Sequence, residues 1–247
     1  MLLSIITINR NNAAGLQKTI ESVKNQTCKN YEHIIIDGAS SDGSVRVIQD
    51  ALKDADYAQH VTYWCSEKDS GIYNAMNKGI RHATGDFIAI LNSGDCYVSD
   101  ILLRINDIAT CHPDAILYGA INRVRDGIFE NVEGRSAQNI PTAMIVHPAC
   151  FVPRALHERY GLYDEQYKIA GDYDMFCRFY KNNVPFYYTG LIVADFDVTG
   201  LSSTSDTVFK ENEVIQRKYG YYIAPSFKQR FKKRVKEILK KLFWFLS

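Results

Sequence analysis

Four carboxylates stand where a ligand would meet them. Asp37 follows the apolar run 33–36, Asp69 follows the run 61–65, Asp95 closes the loop after 86–91, and Asp172 opens a helical stretch ending near Asn182. Acids at the C-terminal ends of three strands in one sheet converge on one rim, the place where α/β sheets put their ligands. Carboxylates gathered there can accept hydrogen bonds from a ligand, hold a cation against phosphate, or take a proton from a hydroxyl. Each acid also has a structural reading. Asp37 and Asp42 can organise a turn, Asp95 can cap a helix beginning near Ser99, and Asp172 can cap its own helix.

The elements that must position these acids follow from hydrophobic periodicity. Short β-branched runs alternate with helical patterns through the first half, which predicts an α/β domain around a mostly parallel sheet flanked by helices. Strands are expected over 2–8, 33–36, 61–65 and 86–91. Leu16, Ile20 and Val23 recur at helical spacing, and further helices are expected over 44–55 and 71–83. The second half is less regular, with a strand near 115–118, a hairpin around Asp126-Gly127, and helices over 154–160 and 172–182. No repeat or low-complexity linker divides the chain, so one domain over 1–222 is expected, followed by a tail over 223–247.

The 247 residues are 46% hydrophobic and 23% charged, an ordinary globular composition with enough apolar side chains for a sizeable core. The net charge of +1 is unevenly spread. From Ser226 onward there are eight Lys or Arg residues and one acid, Glu237, which leaves 21 basic and 27 acidic residues in the rest. The six cysteines form no CxxC pair and have no histidine at metal-ligand spacing, so they read as reduced thiols of a cytosolic protein. The apolar N-terminus has no basic segment before it and turns polar at Asn9, unlike a signal peptide, and no apolar run is long enough to cross a bilayer.

Several short strings occur in a particular order. They are Ser4-Ile5-Ile6-Thr7 with Asn11-Asn12; Ile34-Ile35-Ile36-Asp37-Gly38 with Ser41-Asp42-Gly43-Ser44; and the stretch 66–79 containing Asp69-Ser70-Gly71-Ile72-Tyr73-Asn74-Ala75-Met76-Asn77-Lys78-Gly79. Ala83-Thr84-Gly85-Asp86 then leads into Leu91-Asn92-Ser93-Gly94-Asp95, His147-Pro148 precedes Tyr160-Gly161-Leu162-Tyr163-Asp164-Glu165, and Ala170-Gly171-Asp172-Tyr173-Asp174 opens a helix. In order and spacing over roughly residues 2 to 202 the chain resembles family-two inverting glycosyltransferases of the GT-A, or nucleotide-diphospho-sugar transferase, fold.

The resemblance implies a donor-binding half over about 1–96 and an acceptor half over about 97–222. It implies that Asp37 and Asp69 contact base and ribose, and that Asp95, the surviving acid of a DxD-like motif, binds Mg²⁺ or Mn²⁺ across the diphosphate. Thr7, Arg10, Lys78 and Asn92 join the donor-side candidates, His147 is the acceptor-side candidate, and Asp172 is the general base. The field of a helix N-terminus favours the ionised form of Asp172, and would equally suit a cap. An acceptor hydroxyl deprotonated by Asp172 would attack the anomeric carbon opposite the leaving nucleoside diphosphate and invert its configuration.

The chain departs from the family pattern in places. Asn92-Ser93-Gly94-Asp95 has one carboxylate where many relatives carry two. Arg10 stands where relatives often have Tyr; it can stack on a base, pair with phosphate, or be a solvated loop residue. Thr199-Gly200-Leu201-Ser202 keeps part of a Gly-Gly-x-Ser loop. Lys78 and Arg81 lie at i,i+3 on a helix near the rim; Arg81 reads as wet surface, while Lys78 remains open between phosphate and solvent. His147 can position ligand or be structural.

Phe227, Phe231, Val235, Ile238, Leu239 and Leu242 recur at steps of three or four with Lys and Arg between them. This predicts a basic amphipathic C-terminal helix suited to an anionic membrane surface, with packing on protein as the alternative and no nucleic acid expected. Together with the resemblance, the tail points to a UDP- or GDP-sugar donor and a lipid-linked saccharide acceptor. Assembly of bacterial capsule, O-antigen or exopolysaccharide such as colanic acid, at the cytoplasmic face of the plasma membrane, fits that pair. Two other functions compete. A sugar-phosphate nucleotidyltransferase would need a Gly-rich basic loop after the first strand, where Asn9-Arg10-Asn11-Asn12-Ala13 stands instead; an inactive membrane-tethered scaffold would have lost Asp95 or Asp172, and both are present.

Overall fold

The computed structural model describes residues 1–199 and 206–224. The basic tail from 226 onward and Gly200, Leu201 and Ser202 of the late loop lie outside the described residues.

The chain runs β1 Leu3–Asn9, α1 Ala13–Lys24, β2 Tyr31–Asp37, α2 Ser44–Ala51, α3 Ala55–Ala58, β3 Val61–Ser66, α4 Ile72–His82, β4 Phe87–Ile90, β5 Cys96–Tyr97 and α5 Ile101–Cys111. It continues through β6 Ile116–Arg125, β7 Ile128–Glu133, β8 Cys150–Pro153, α6 Arg154–Tyr160, α7 Gly171–Lys181, β9 Phe186–Asp197 and α8 Asp206–Tyr219. Among the described residues these strands build a nine-stranded sheet in the order β3-β2-β1-β4-β8-β6-β9-β5, with β7 paired to β6. The parallel sheet expected from the alternating pattern is its first half, β3-β2-β1-β4. The second half mixes directions, because β8 runs antiparallel to both neighbours while β9 runs parallel to β6.

Every residue of β1 and β2 is buried, as befits strands covered on both faces. Alternation then divides the core. Ile6, Ile34 and Ile36 face α4 and α7, whereas Ile35 meets Leu16 and Ile20 of α1, and Leu3 and Ile5 lie with Val23 and the α5 residues Ile101 and Ile105. The helix expected over 44–55 is two helices: α2 ends at Ala51, and Asp54 caps α3 by accepting the amides of Asp56 and Tyr57. Asp126 and Gly127 both have positive φ, 52° and 79°, the two-residue turn that the Asp-Gly pair between strands predicts.

One of the shared strings proves to be structural. Thr84 and Gly85 sit at the N-terminal rim, opposite the ligand end of the sheet. There the buried Glu32 accepts Ser4 Oγ (2.7 Å), Thr62 Oγ1 (2.9 Å), Thr84 N (2.6 Å), Thr84 Oγ1 (3.0 Å) and Gly85 N (3.1 Å). Burial raises the Glu32 carboxyl, and these donors more than offset it, holding it below its ordinary range. Glu32→Ala would strand several buried donors at once. The expected loss is about 3 kcal/mol or more of unfolding free energy in urea titrations, with Glu32→Gln in between.

Candidate active site

The C-terminal ends of β1, β2, β3 and β4 form one rim, and short polar side chains stitch it together. Asn9 pairs in register with Asp37, and Asp37 with Ser66. Asp37 is fully buried and accepts Asn9 Nδ2 (2.7 Å), Ser66 Oγ (2.6 Å), and both the amide (2.9 Å) and hydroxyl (2.5 Å) of Ser40. Burial pushes its carboxyl up, but the bonds from Ser40, Ser66 and Asn9 outweigh burial and hold it low. Asn11, at φ 51°, donates its amide to Ser40 Oγ and accepts the Ser41 amide, and Asp42 accepts the Ala13 amide that opens α1. Asp37 and Asp42 are therefore the turn organisers of the rim, and both oxygens of Asp37 are already engaged.

Asp69 is half-buried in the loop between β3 and α4. It accepts the Gly71 amide at 3.1 Å, and its other oxygen lies so close over Gly38 that a β-carbon there would collide with it. The exposed Arg10 passes its aliphatic stem along the same glycine. Arg10, Gly38 and Asp69 thus form a shallow wall on which a flat ring could lie. Lys78 is turned to this loop from behind, pairing with Glu67 at 2.7 Å and donating to the Lys68 carbonyl at 3.0 Å, so it braces the segment that carries Asp69. Thr7 does not reach the rim. It is fully buried and bonded to His33 Nε2 at 2.8 Å, which removes it from the donor-side group, because both faces of β1 are covered.

The loop after β4 brings Asp95 against the end of β9. Thr19 of α1 braces it, donating to the Asp95 carbonyl at 2.7 Å and accepting the Gly94 amide at 3.0 Å, while Asn12 donates to the Ser93 carbonyl. Asp95 is 4% exposed, and its Oδ1 accepts the Asp197 amide at 3.1 Å. Burial first, then the Asp197 charge, push the Asp95 carboxyl up to about 8 against that hydrogen bond. No Lys or Arg among the described residues forms an ion pair with either acid. The buried Asn92 Oδ1 has no hydrogen-bond partner either. Two carboxylates and an amide oxygen, all hard donors lacking a cationic partner, fit Mg²⁺ or Mn²⁺ held by few protein ligands and completed by phosphate and water. No cluster of three or more His, Cys, Asp or Glu side chains at metal spacing occurs among the described residues.

Asp172 lies in the first turn of α7, whose N-cap is Ala170. Its Oδ1 accepts the Tyr173 amide at 2.8 Å and the Tyr73 hydroxyl at 3.3 Å, and Tyr73 also donates to the Ile169 carbonyl. The helix field alone would keep this carboxyl low. Instead, burial lifts it to about 6, against the Tyr173 amide and Tyr73 hydroxyl and with help from Glu211. A β-carbon at Gly171 would stand 2.7 Å from the Tyr73 ring, so the glycine admits the tyrosine that holds the acid. Asp174, two residues on, is fully buried and engaged by Arg178 (3.2 Å), Lys218 (2.8 Å) and Tyr219 (3.2 Å), which makes it part of the scaffold. His147 is likewise interior. It bonds Tyr163 at 2.7 Å, packs on Phe176, and burial lowers it to about 4, so the ring is neutral.

Sequence reasoning missed Thr19, Asp197 and Tyr73 as site residues. Asp197 ends β9, a strand absent from the expected elements, although Phe186-Tyr187-Tyr188 and Leu191-Ile192-Val193 carry a clear strand composition.

Comparison with known proteins places this geometry. The model of the family described as Glycosyl transferase family 2 matches residues 4–184. An uncharacterised glycosyltransferase of Mycobacterium tuberculosis is 32% identical over 211 residues, covering 81% of this chain and 77% of that protein. Among solved structures, S. aureus TarS 1–349 in complex with UDP superposes with a TM-score of 0.70 at 16% identity over 92% of this chain and 67% of that one. The longer TarS chain also matches, and there this chain spans 41% of its length. The mannosyltransferase PcManGT from Pyrobaculum calidifontis, in complex with GDP-Man and Mn²⁺, superposes with a TM-score of 0.60 at 16% identity over 95% of this chain and 64% of that one.

Proposed function

The chain belongs to glycosyl transferase family 2 and has the GT-A fold, and from that premise we propose that it transfers a hexosyl group with inversion from a nucleoside-diphosphate sugar to a hydroxyl of a lipid-linked saccharide. The observation that carries the reading is the pairing of two unlike acids at the ligand end of the sheet. Asp95 is buried beside the half-buried Asp197 with no cationic partner among the described residues, while Asp172 is a separate carboxyl tuned upward by burial.

A carboxyl near 6 is largely ionised at neutral pH, yet more basic than an ordinary aspartate, which suits proton abstraction. Asp172 takes the proton of the acceptor hydroxyl. That oxygen forms the new bond to the anomeric carbon as the bond to the diphosphate oxygen on the opposite face breaks, so configuration inverts and no covalent enzyme intermediate arises. Asp95, Asp197 and Asn92 would hold Mg²⁺ or Mn²⁺, whose charge neutralises the departing diphosphate. The wall of Arg10, Gly38 and Asp69 would receive base and ribose. Asp37 supports that wall, Lys78 braces its loop, and the buried His147 acts through Tyr163 to hold the acceptor side.

UDP in TarS and GDP-Man in PcManGT make both bases candidates for the donor. The basic tail supports docking on the cytoplasmic face of an anionic membrane, where a lipid-linked intermediate of surface polysaccharide assembly would be met. No described helix is long and apolar enough to cross a membrane. The test is a thermal-shift series with UDP, GDP, CDP and dTDP, each with Mn²⁺ or EDTA. One nucleotide should raise Tm by several degrees with Mn²⁺ only, since ligand at 100 times Kd adds about 2.7 kcal/mol. No shift with any nucleotide would point to the scaffold reading.

A further inference from the structure

The loop that delivers Asp172 is held from outside the family-matched region. Glu211 of α8 uses Oε1 to accept the Lys168 amide at 2.8 Å, and Oε2 to accept the amides of Ile169 at 3.0 Å and Ala170 at 2.9 Å. Three consecutive amides thus converge on one carboxylate 41 to 43 residues away in sequence. Charge-assisted bonds of this kind are about twice as strong as neutral ones. The middle residue of the three, Ile169, offers its carbonyl to the Tyr73 hydroxyl, and the same hydroxyl reaches Asp172 Oδ1 at 3.3 Å.

We propose that Glu211 is a positioning residue for Asp172, clamping segment 168–170 so that the Ile169 carbonyl and the Tyr73 hydroxyl fix the carboxylate at the mouth of the acceptor side. The inference rests on the reading of Asp172 as the base. Other contacts hold α8 itself in place without touching that segment: Gln216 donates to the Tyr173 hydroxyl at 3.2 Å, and Lys218 and Tyr219 bind Asp174. Glu211 is therefore not needed to dock α8, and its carboxylate is free to act on the loop. Four titratable groups face Asp172: Tyr73 from α4, Cys150 from β8, Tyr163 from the segment after α6, and Glu211 from α8. Of these four, Glu211 is the carboxylate, and its charge adds to burial in raising Asp172.

The test follows the side-chain carboxyl of Asp172 by carbon NMR in protein labelled at aspartate, the resonance being assigned by its loss in Asp172→Asn. In Glu211→Gln the titration midpoint should fall by at least ~0.5 unit, because a like charge has been removed. The amides of Lys168, Ile169 and Ala170 should exchange at least ~10-fold faster, and release of nucleoside diphosphate from the sugar nucleotide chosen by thermal shift should slow about 10-fold at unchanged donor KM. Gln216→Ala, which loosens α8 elsewhere, should leave the titration in place. The inference is overturned if Glu211→Gln leaves midpoint and exchange unaltered, or if both variants shift the midpoint equally. A fully active Asp172→Asn would remove the base assignment and this inference with it, whereas an inactive Asp172→Asn beside an unaltered Glu211→Gln would remove this inference alone.

Discussion

Replacing Asp172 with asparagine should lower the turnover of sugar transfer by a factor of about 10³ while leaving donor affinity and Tm nearly unchanged, the range that loss of a positioned general base produces. Asparagine can still accept the Tyr173 amide and the Tyr73 hydroxyl, so the first turn of α7 keeps its hydrogen bonds and only the proton acceptor is lost. A capping role predicts the reverse, about 1 kcal/mol of lost stability with near-normal turnover. Single-turnover transfer at saturating donor, beside nucleotide titrations of both proteins, separates the two. The same variant should lose the acidic limb of the pH–rate profile near pH 6, where Asp172 gains its proton.

The second large effect concerns Asp95 without a cation. Its folded carboxyl lies near 8, against an ordinary 3.8. A carboxyl raised on folding favours the folded state when protonated, so stability is lost as pH rises from the ordinary value through the folded one. Between pH 7 and 9 that group alone should remove about 1.4 kcal/mol of unfolding free energy from EDTA-treated protein, and the full displacement amounts to at most about 6 kcal/mol. The buried histidines His33 and His157, near 3, and His147, near 4, are neutral in the folded state, and because an ordinary histidine still binds part of a proton at pH 7 the three together add only about 0.5 kcal/mol of stability from pH 7 to 9, opposing and smaller than the Asp95 effect. Asp95→Asn should reduce the slope to the part left by the raised thiols Cys65, Cys96, Cys150 and Cys177, and be more stable than wild type at pH 9 in EDTA, because Asn can still accept the Asp197 amide without carrying an unpaired charge. It should also lose the Mn²⁺-dependent shift with nucleotide. Urea titrations at pH 7, 8 and 9 on both proteins read the effect, and a wild-type slope unaffected by the substitution would remove Asp95 as its source.

Much of this site was legible in the chain, and what escaped did so for identifiable reasons. Asp37, Asp69 and Asp95 were located because each follows an apolar run, and a strand's end is a place that sequence can mark. Their duties were not marked. Asp37 turns inward to four donors and becomes scaffold, while Asp69 stays half-open beside Gly38, a difference set by the side chains of Ser40 and Ser66 rather than by strand position. Asp197 went unseen because β9 was not expected: Gly190, at φ 71°, interrupts it, and the half-buried and exposed residues at its start blur the alternation. The string Ala83-Thr84-Gly85-Asp86, one of those that carry the family resemblance, is a stability device at the opposite rim, since Thr84 and Gly85 serve Glu32 and Asp86 accepts the Leu2 amide.

The alternation of strands and helices, the rim where Asp37, Asp69 and Asp95 stand and the family can be read along the chain, because periodicity, strand ends and ordered short strings are local properties. The state of each acid is set by packing. Asp95 is raised because packing buries it and β9 then brings Asp197 against it, and Asp172 is raised because burial, with the charge of Glu211 from α8, outweighs the Tyr173 amide and the Tyr73 hydroxyl. Desolvation and charge coupling depend on distances between elements far apart in the chain, and those distances exist only once the elements have packed.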